Sequence, residues 1–397
     1  MRILHAVEFY SPSVGGAQEV IRQISLRLAA RGHDVTVATS ADPWRRDACI
    51  EGVTVAPFKV SGNRASGLTG EVEAYRRLVA TGGFDVVMIY AAQQWTCDAL
   101  LDVLPNLPCA KVFAPCGFSG LKSDRYKAYF DDMPALLRQF DRLIFHSATY
   151  QDHRFAEAHG LLDRSVVVPN GCGRDEFEQL PTDFRARHGI APDEPLVLTV
   201  GSHTGIKGHA EAIQTLLSRH MPPATLVIIG NALPGLGGCR WTCKLRALAA
   251  RLVAGGRKRV LLLDPPRHDV LAAYQAADIF LFLSNVECSP LVLFEAAASE
   301  TPFVTADVGN AREIAEWTGG GVVVPTESMS DGRKKADTAA AARLVADMLA
   351  HPDRAAALGR AGRRHWMESF SWETIAEKYE AVYRDAIAAA SKTAVRP

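Results

Sequence analysis

Residues 278–298 constrain the fold more than any other stretch. Asp278-Ile279-Phe280-Leu281-Phe282-Leu283 is an apolar run of strand length, the pattern of a parallel strand buried on both faces. Ser284-Asn285-Val286-Glu287-Cys288-Ser289-Pro290 interrupts it, and a helical pattern begins near Pro290, a residue suited to a first turn. Strand, short loop and helix in this order bring a helix N-terminus to a strand's carboxyl end, where backbone amides attract anions. Glu287 falls on the loop, and Glu295 lies about two turns along. Two carboxylates flanking such amides suit a ligand that combines phosphate with several hydroxyls, as a nucleotide sugar does. The spacing alone also fits a plain helix with one surface glutamate.

Similar strand and helix patterns alternate through nearly all 397 residues, which implies parallel sheets flanked by helices and two or three domains. Lysine plus arginine equal aspartate plus glutamate at 44 each, so charge gives no reason to expect nucleic acid as a partner. No apolar run is long enough to span a bilayer. Glu8 interrupts the N-terminal apolar run too early for a secretory signal, so a cytoplasmic location is expected. The eight cysteines are scattered. Cys239 and Cys243 are four apart with no second ligand pair beside them in the chain, so buried thiols are expected rather than zinc or disulfides.

Beyond periodicity, several motifs recur together. Residues 287–295 resemble the E-x7-E signature of the retaining glycosyltransferases of family 4, which have the GT-B fold. Gly15-Gly16, after the first strand Arg2–Val7, resembles that family's first Gly-Gly loop. Val168-Pro169-Asn170-Gly171 resembles its linker to the second domain. Gly201-Ser202-His203-Thr204-Gly205-Ile206-Lys207-Gly208 resembles its Gly-Arg-x-x-x-x-Lys-Gly loop, with Ser202 where the arginine stands. Gly309-Asn310 replaces a Gly-Gly. Cys116-Gly117 stands where relatives usually have His-Gly, and Phe370 to Glu380 resembles the closing helix.

The resemblance implies an α/β protein of GT-B type, two doubly wound, Rossmann-like domains facing a cleft. Residues 1–178 would form the acceptor-side domain, with a helix from about 372 to 397 packing back on it, and 190–370 the donor domain. It implies retaining transfer of a hexose from a UDP- or GDP-sugar to a hydroxyl acceptor: a sugar, a lipid-linked sugar or a small molecule. The product would be a cell-surface polysaccharide, glycolipid or small glycoconjugate. Glu287 and Lys207 are the implied catalytic residues. Glu295, Ser289, Pro290, Leu291, Val292, Gly15, Gly16, Ser202, Asn231 and Pro266 would bind the donor, with Arg267 near the base. Cys116 and His146 would lie on the acceptor or sugar side, although His146, at the end of the expected strand Arg142–Ser147, fits a packed, hydrogen-bonded histidine equally well. Neither a cofactor nor a metal is expected.

The mixed basic and aromatic segment 119–130 allows weak contact with the inner face of a membrane. Ser202 and Cys116 leave a second reading, a GT-B nucleotide-sugar-binding protein with reduced or no transferase activity. A GT-B phosphorylase or epimerase would lack E-x7-E. A dinucleotide-dependent oxidoreductase is disfavoured, because no G-x-G-x-x-G follows the first strand.

Overall fold

The computed structural model describes residues 1–177, 180–231 and 238–394. The chain divides into two compact units, Met1–Asn170 with Trp372–Pro397, and Gly171–Ser371. The division falls at Asn170, earlier than residue 178. Cys172 already belongs to the second unit: its N–H donates to the Phe370 carbonyl at 3.0 Å, and its own carbonyl accepts from Trp366 Nε1 at 3.2 Å.

The first unit is built on an eight-stranded sheet. Its spatial order is Ser165–Val167, Arg142–Phe145, Ala110–Ala114, Val86–Tyr90, Arg2–Ala6, Asp34–Ser40, Val53–Phe58 and Cys49–Ile50. All neighbours are parallel except the last pair. The order reverses between Arg2–Ala6 and Val86–Tyr90, so their carboxyl ends form this unit's switch point. Helix Gly16–Ala30 buries Val20, Ile21, Ile24 and Leu28, as its apolar spacing predicts. Strand Val53–Phe58 ends at Phe58, and Val60–Asn63 pairs with Gly67–Gly70 as a separate hairpin. Segment 119–130 divides by type. Tyr129 and Phe130 are buried, the Tyr129 hydroxyl donating to Asp98 at 3.0 Å, whereas the cations Lys122, Arg125 and Lys127 are exposed.

Helix Trp372–Ala394 completes this unit, with Trp372, Ile375, Tyr379 and Tyr383 fully buried. Arg27 and Arg31 on the first helix pair with Glu373, Glu377 and Glu380 along it. At its centre His5 is buried, Nδ1 2.7 Å from the Ser25 hydroxyl and Nε2 2.9 Å from the Tyr383 hydroxyl. Burial pushes the His5 pKa down to about 3. The unfolded chain therefore takes up a proton near pH 6.5 that the folded chain refuses. The stability so contributed is complete above pH 6.5 and is lost as pH falls toward 3. Between pH 7 and pH 5, the stability advantage of wild type over His5→Gln in urea unfolding is expected to shrink by on the order of 2 kcal/mol. An unchanged advantage would refute the assignment.

The second unit carries a six-stranded parallel sheet. In chain order its strands are Leu196–Val200, Ala224–Ile229, Lys258–Leu263, Ile279–Phe282, Phe303–Ala306 and Gly321–Val324, and their spatial order is 3-2-1-4-5-6. This is a doubly wound sheet whose switch point lies between Leu196–Val200 and Ile279–Phe282. The strands fill the unit's core because every residue of Ile279–Phe282 and Phe303–Ala306 is buried. Lys334–Ala336 pairs with Thr326–Ser328 in a small antiparallel hairpin. Among the described residues no helix is long and apolar enough to cross a membrane, and no disulfide joins the cysteines.

Candidate functional site

At the second unit's switch point two neighbouring parallel strands each lead into a loop and then a helix. Leu196–Val200 runs into the loop Gly201–Gly208 and then helix His209–Leu217. Ile279–Phe282 runs into 283–290 and then helix Leu291–Ala298. The loops are stitched together: the Asn285 N–H donates to the Ile206 carbonyl at 2.8 Å. Gly208 has φ +73°, and a Cβ there would run into the Leu283 carbonyl, so only glycine permits this approach.

That approach delivers Lys207 to Glu287. Lys207 Nζ lies 2.7 Å from Glu287 Oε1, and the Ser284 hydroxyl lies 2.8 Å from the same oxygen. Both charges are mostly withdrawn from solvent, with side-chain exposures of 28% and 12%. Ser289 accepts from Asn310 Nδ2 at 3.2 Å, and the Asn310 N–H donates to the Cys288 carbonyl at 2.9 Å. Asn310 in place of a glycine thus fixes the loop that carries Glu287. Pro290 is the residue just before the helix rather than its first residue, and no side chain caps the first turn. The amides of Leu291 and Val292 start the helix there, close behind Glu287 in the chain.

Glu295 is buried one turn deeper. Its Oε1 lies 2.6 Å from an Arg267 guanidinium nitrogen, and Arg267 Nε lies 2.9 Å from Glu176 Oε1. Burial alone would lower the arginine's pKa, but Glu295 and Glu176 more than reverse this and hold it above the usual range. Burial, reinforced by the Glu295 charge, pushes the neighbouring Tyr274 hydroxyl well above the ordinary tyrosine range. Arg267, expected near a nucleotide base, is held between two carboxylates.

Pro266 precedes helix Arg267–Ala276, and its carbonyl accepts from the Asp269 and Val270 N–H groups. Ser202 is half-buried at the end of its strand. Arg240, at the start of helix Arg240–Val253, lies 3.3 Å from Asp264. The Asn231 carbonyl accepts from the His203 N–H at 2.9 Å. Pro234 and Gly235, which follow Asn231 in the sequence, lie outside the described residues.

In the first unit Gly15 and Gly16 sit where expected, at the start of helix Gly16–Ala30. Gly15 is extended at φ 177°, and a Cβ on Gly16 would meet open space, so the protein's own packing does not demand a glycine at 16. Cys116 and His146 are brought together. His146 Nδ1 donates to the Val168 carbonyl at 2.9 Å, Nε2 lies 3.0 Å from the Tyr90 hydroxyl, and Cys116 Sγ lies 3.7 Å from that hydroxyl. Burial would lower the His146 pKa, but contacts with Cys116 and Val168 raise it overall. His146, read as a sugar-side residue, is therefore a hydrogen-bonded core histidine, because both ring nitrogens already have protein partners.

Motif reading missed Glu176, Tyr274 and Ser284. It also missed a cluster in the second unit, His203, His209, Cys239 and Cys243, whose ligand atoms all lie within 4.8 Å of one another. The His-x5-His and Cys-x3-Cys spacings were the available signal, but they lie 30 residues apart and on separate elements.

Two Rossmann-like units, with paired loops and a helix start at a switch point, define a protein of the GT-B class. The family model "Glycosyltransferase Family 4" matches residues 14–175, and "Glycosyl transferases group 1" matches 182–365. The chain belongs to glycosyltransferase family 4. It is 30% identical over 428 aligned positions to a D-inositol 3-phosphate glycosyltransferase of Geodermatophilus obscurus, covering 96% of this chain and 88% of that protein. To the protein of the same name from Xylanimonas cellulosilytica it is 35% identical over 57% of this chain, and the match spans only 52% of that protein. It is 29% identical to a GDP-mannose-dependent alpha-(1-6)-phosphatidylinositol monomannoside mannosyltransferase of Mycobacterium tuberculosis, covering 95% and 96% of the two chains. The fold matches a sucrose-phosphate synthase from Thermosynechococcus elongatus with a TM-score of 0.79 over 98% of this chain and 99% of that one, at 23% identity.

Proposed function

We propose that the second unit binds a nucleoside diphosphate sugar, with UDP or GDP as the nucleotide, and that the chain transfers its hexose with retention to a hydroxyl acceptor. The observation that carries this is the Lys207–Glu287 pair, built at the switch point beside the start of helix Leu291–Ala298, with Glu295 one turn into that helix. Lys207 and the first-turn amides meet the diphosphate, and the lysine and helix start offset charge that grows on the leaving group. Glu287 orients the sugar. Glu295 accepts hydrogen bonds from the ribose hydroxyls. The departing phosphate takes the acceptor's proton. Gly15 and Gly16 supply space at a second helix start. The relatives' names support an acceptor that is a polyol or glycolipid hydroxyl, in glycolipid or small-glycoconjugate synthesis, and one of them supports GDP-mannose as donor type.

A thermal-shift comparison of UDP, GDP, ADP and CMP tests the donor site. One of UDP and GDP is expected to raise the melting temperature by about 5 °C or more at a hundredfold excess over its Kd. No shift with any of the four would overturn the reading. A second reading, donor binding without efficient transfer, is favoured by Ser202 and by the two carboxylates that occupy Arg267. It is distinguished by release of free nucleoside diphosphate when a polyol acceptor is added.

A further inference from the structure

The four-residue His/Cys cluster lies outside the carboxylate site. His203 is on the loop after strand Leu196–Val200, and His209 begins helix His209–Leu217. Cys239 immediately precedes helix Arg240–Val253, and Cys243 lies one turn into it. Three of the four are buried and Cys239 is half-buried. The imidazole rings meet edge-on with centroids 4.6 Å apart. Cys239 Sγ lies 3.5 Å from His203 Nδ1 and 3.6 Å from His209 Nδ1.

These separations are the useful measurement. A tetrahedral zinc ion with Zn–S about 2.3 Å and Zn–N about 2.0–2.1 Å sets sulfur and nitrogen roughly 3.5 Å apart. The spacings His-x5-His and Cys-x3-Cys also lie within those of structural zinc sites. The backbone holds the two halves in register independently of the side chains. The Cys239 N–H donates to the His203 carbonyl at 3.1 Å, and a Cβ on Gly238 would run into that same carbonyl. The His209 ring is buried with Nδ1 turned toward Cys239 Sγ, the arrangement a shared metal ion requires.

We propose that His203, His209, Cys239 and Cys243 bind one zinc ion in a closed Cys2His2 structural site. With all four positions filled by protein, the metal has no open position for substrate. Two thiolates balance its charge, so neutral imidazoles complete a site of zero net charge. The ion ties the loop that ends in Lys207 to the start of helix Arg240–Val253. This assignment does not rest on the donor reading, because metal content and donor binding are measured separately.

The test uses untagged full-length protein produced in zinc-supplemented medium. Elemental analysis is expected to give about one zinc per chain, falling at least tenfold in Cys239→Ser/Cys243→Ser. Stripping wild type with a chelator under reducing conditions and adding cobalt(II) is expected to give the intense visible bands of a tetrahedral thiolate complex. Readding zinc to the stripped protein is expected to raise its melting temperature, which keeps the test valid if the double variant fails to fold. Wild type without zinc, whose reduced, stripped form shows no cobalt spectrum, would overturn the proposal. So would recovery of Cys239 and Cys243 as a disulfide from freshly lysed cells.

Discussion

Glu295→Ala is expected to weaken binding of the nucleoside diphosphate by about 100-fold, read by calorimetry. A buried carboxylate that accepts from two ribose hydroxyls forms charge-assisted hydrogen bonds, each contributing about 1.5–3 kcal/mol. The substitution also leaves Arg267 with Glu176 as its carboxylate partner. The melting temperature without nucleotide is therefore measured alongside, and a fall of a few degrees is expected. On the proposed reading the ribose contact is the same in ground and transition states, so KM is expected to rise while kcat stays within a fewfold of wild type. An unchanged nucleotide affinity would remove Glu295 from the site.

Glu287→Gln is expected to do the opposite, cutting kcat by about 10²–10³-fold while nucleotide affinity changes little. Glu287 is held by Lys207 and Ser284 before any ligand arrives. A preorganised charge beside the reacting sugar acts on the transition state without waiting for solvent or side chains to rearrange. Glutamine keeps the shape and most of the packing, so the loss reports charge rather than collapse. It also leaves Lys207 without its carboxylate, a cost that appears in the melting temperature and not in the ratio of kcat values at equal folded concentration. Transfer at the wild-type rate would end the assignment of Glu287 to the chemistry.

The parts of the fold read correctly from sequence are those where a local pattern and a tertiary demand coincide. The run 279–282 is apolar on both faces because it is buried on both, and Pro290 marks the helix start to within one residue. Lys207 and Glu287 are 80 residues apart, and only the shared motif resemblance linked them before the sheet order did. Val60–Asn63 and Gly67–Gly70 escaped because short, glycine-rich strands carry little apolar alternation. The carboxylate partners of Arg267 were not legible, because its charge says nothing about which carboxylates the fold will set around it. His146 was ambiguous because an isolated histidine after a strand looks the same whether its nitrogens face a ligand or a neighbouring hydroxyl. Cys239 and Cys243 show one limit most plainly: their partners in space come from the far side of a strand and a loop.

The first unit is assembled from both ends of the chain, which sets an order on its biosynthesis. A ribosome emits its sheet early, yet Tyr383, the hydroxyl that meets His5, is made more than 370 residues later. The second unit is continuous in sequence and has all its strands before that closing helix emerges. The portion translated first is thus the portion finished last. In the interval its nascent apolar face is a natural client surface for chaperones.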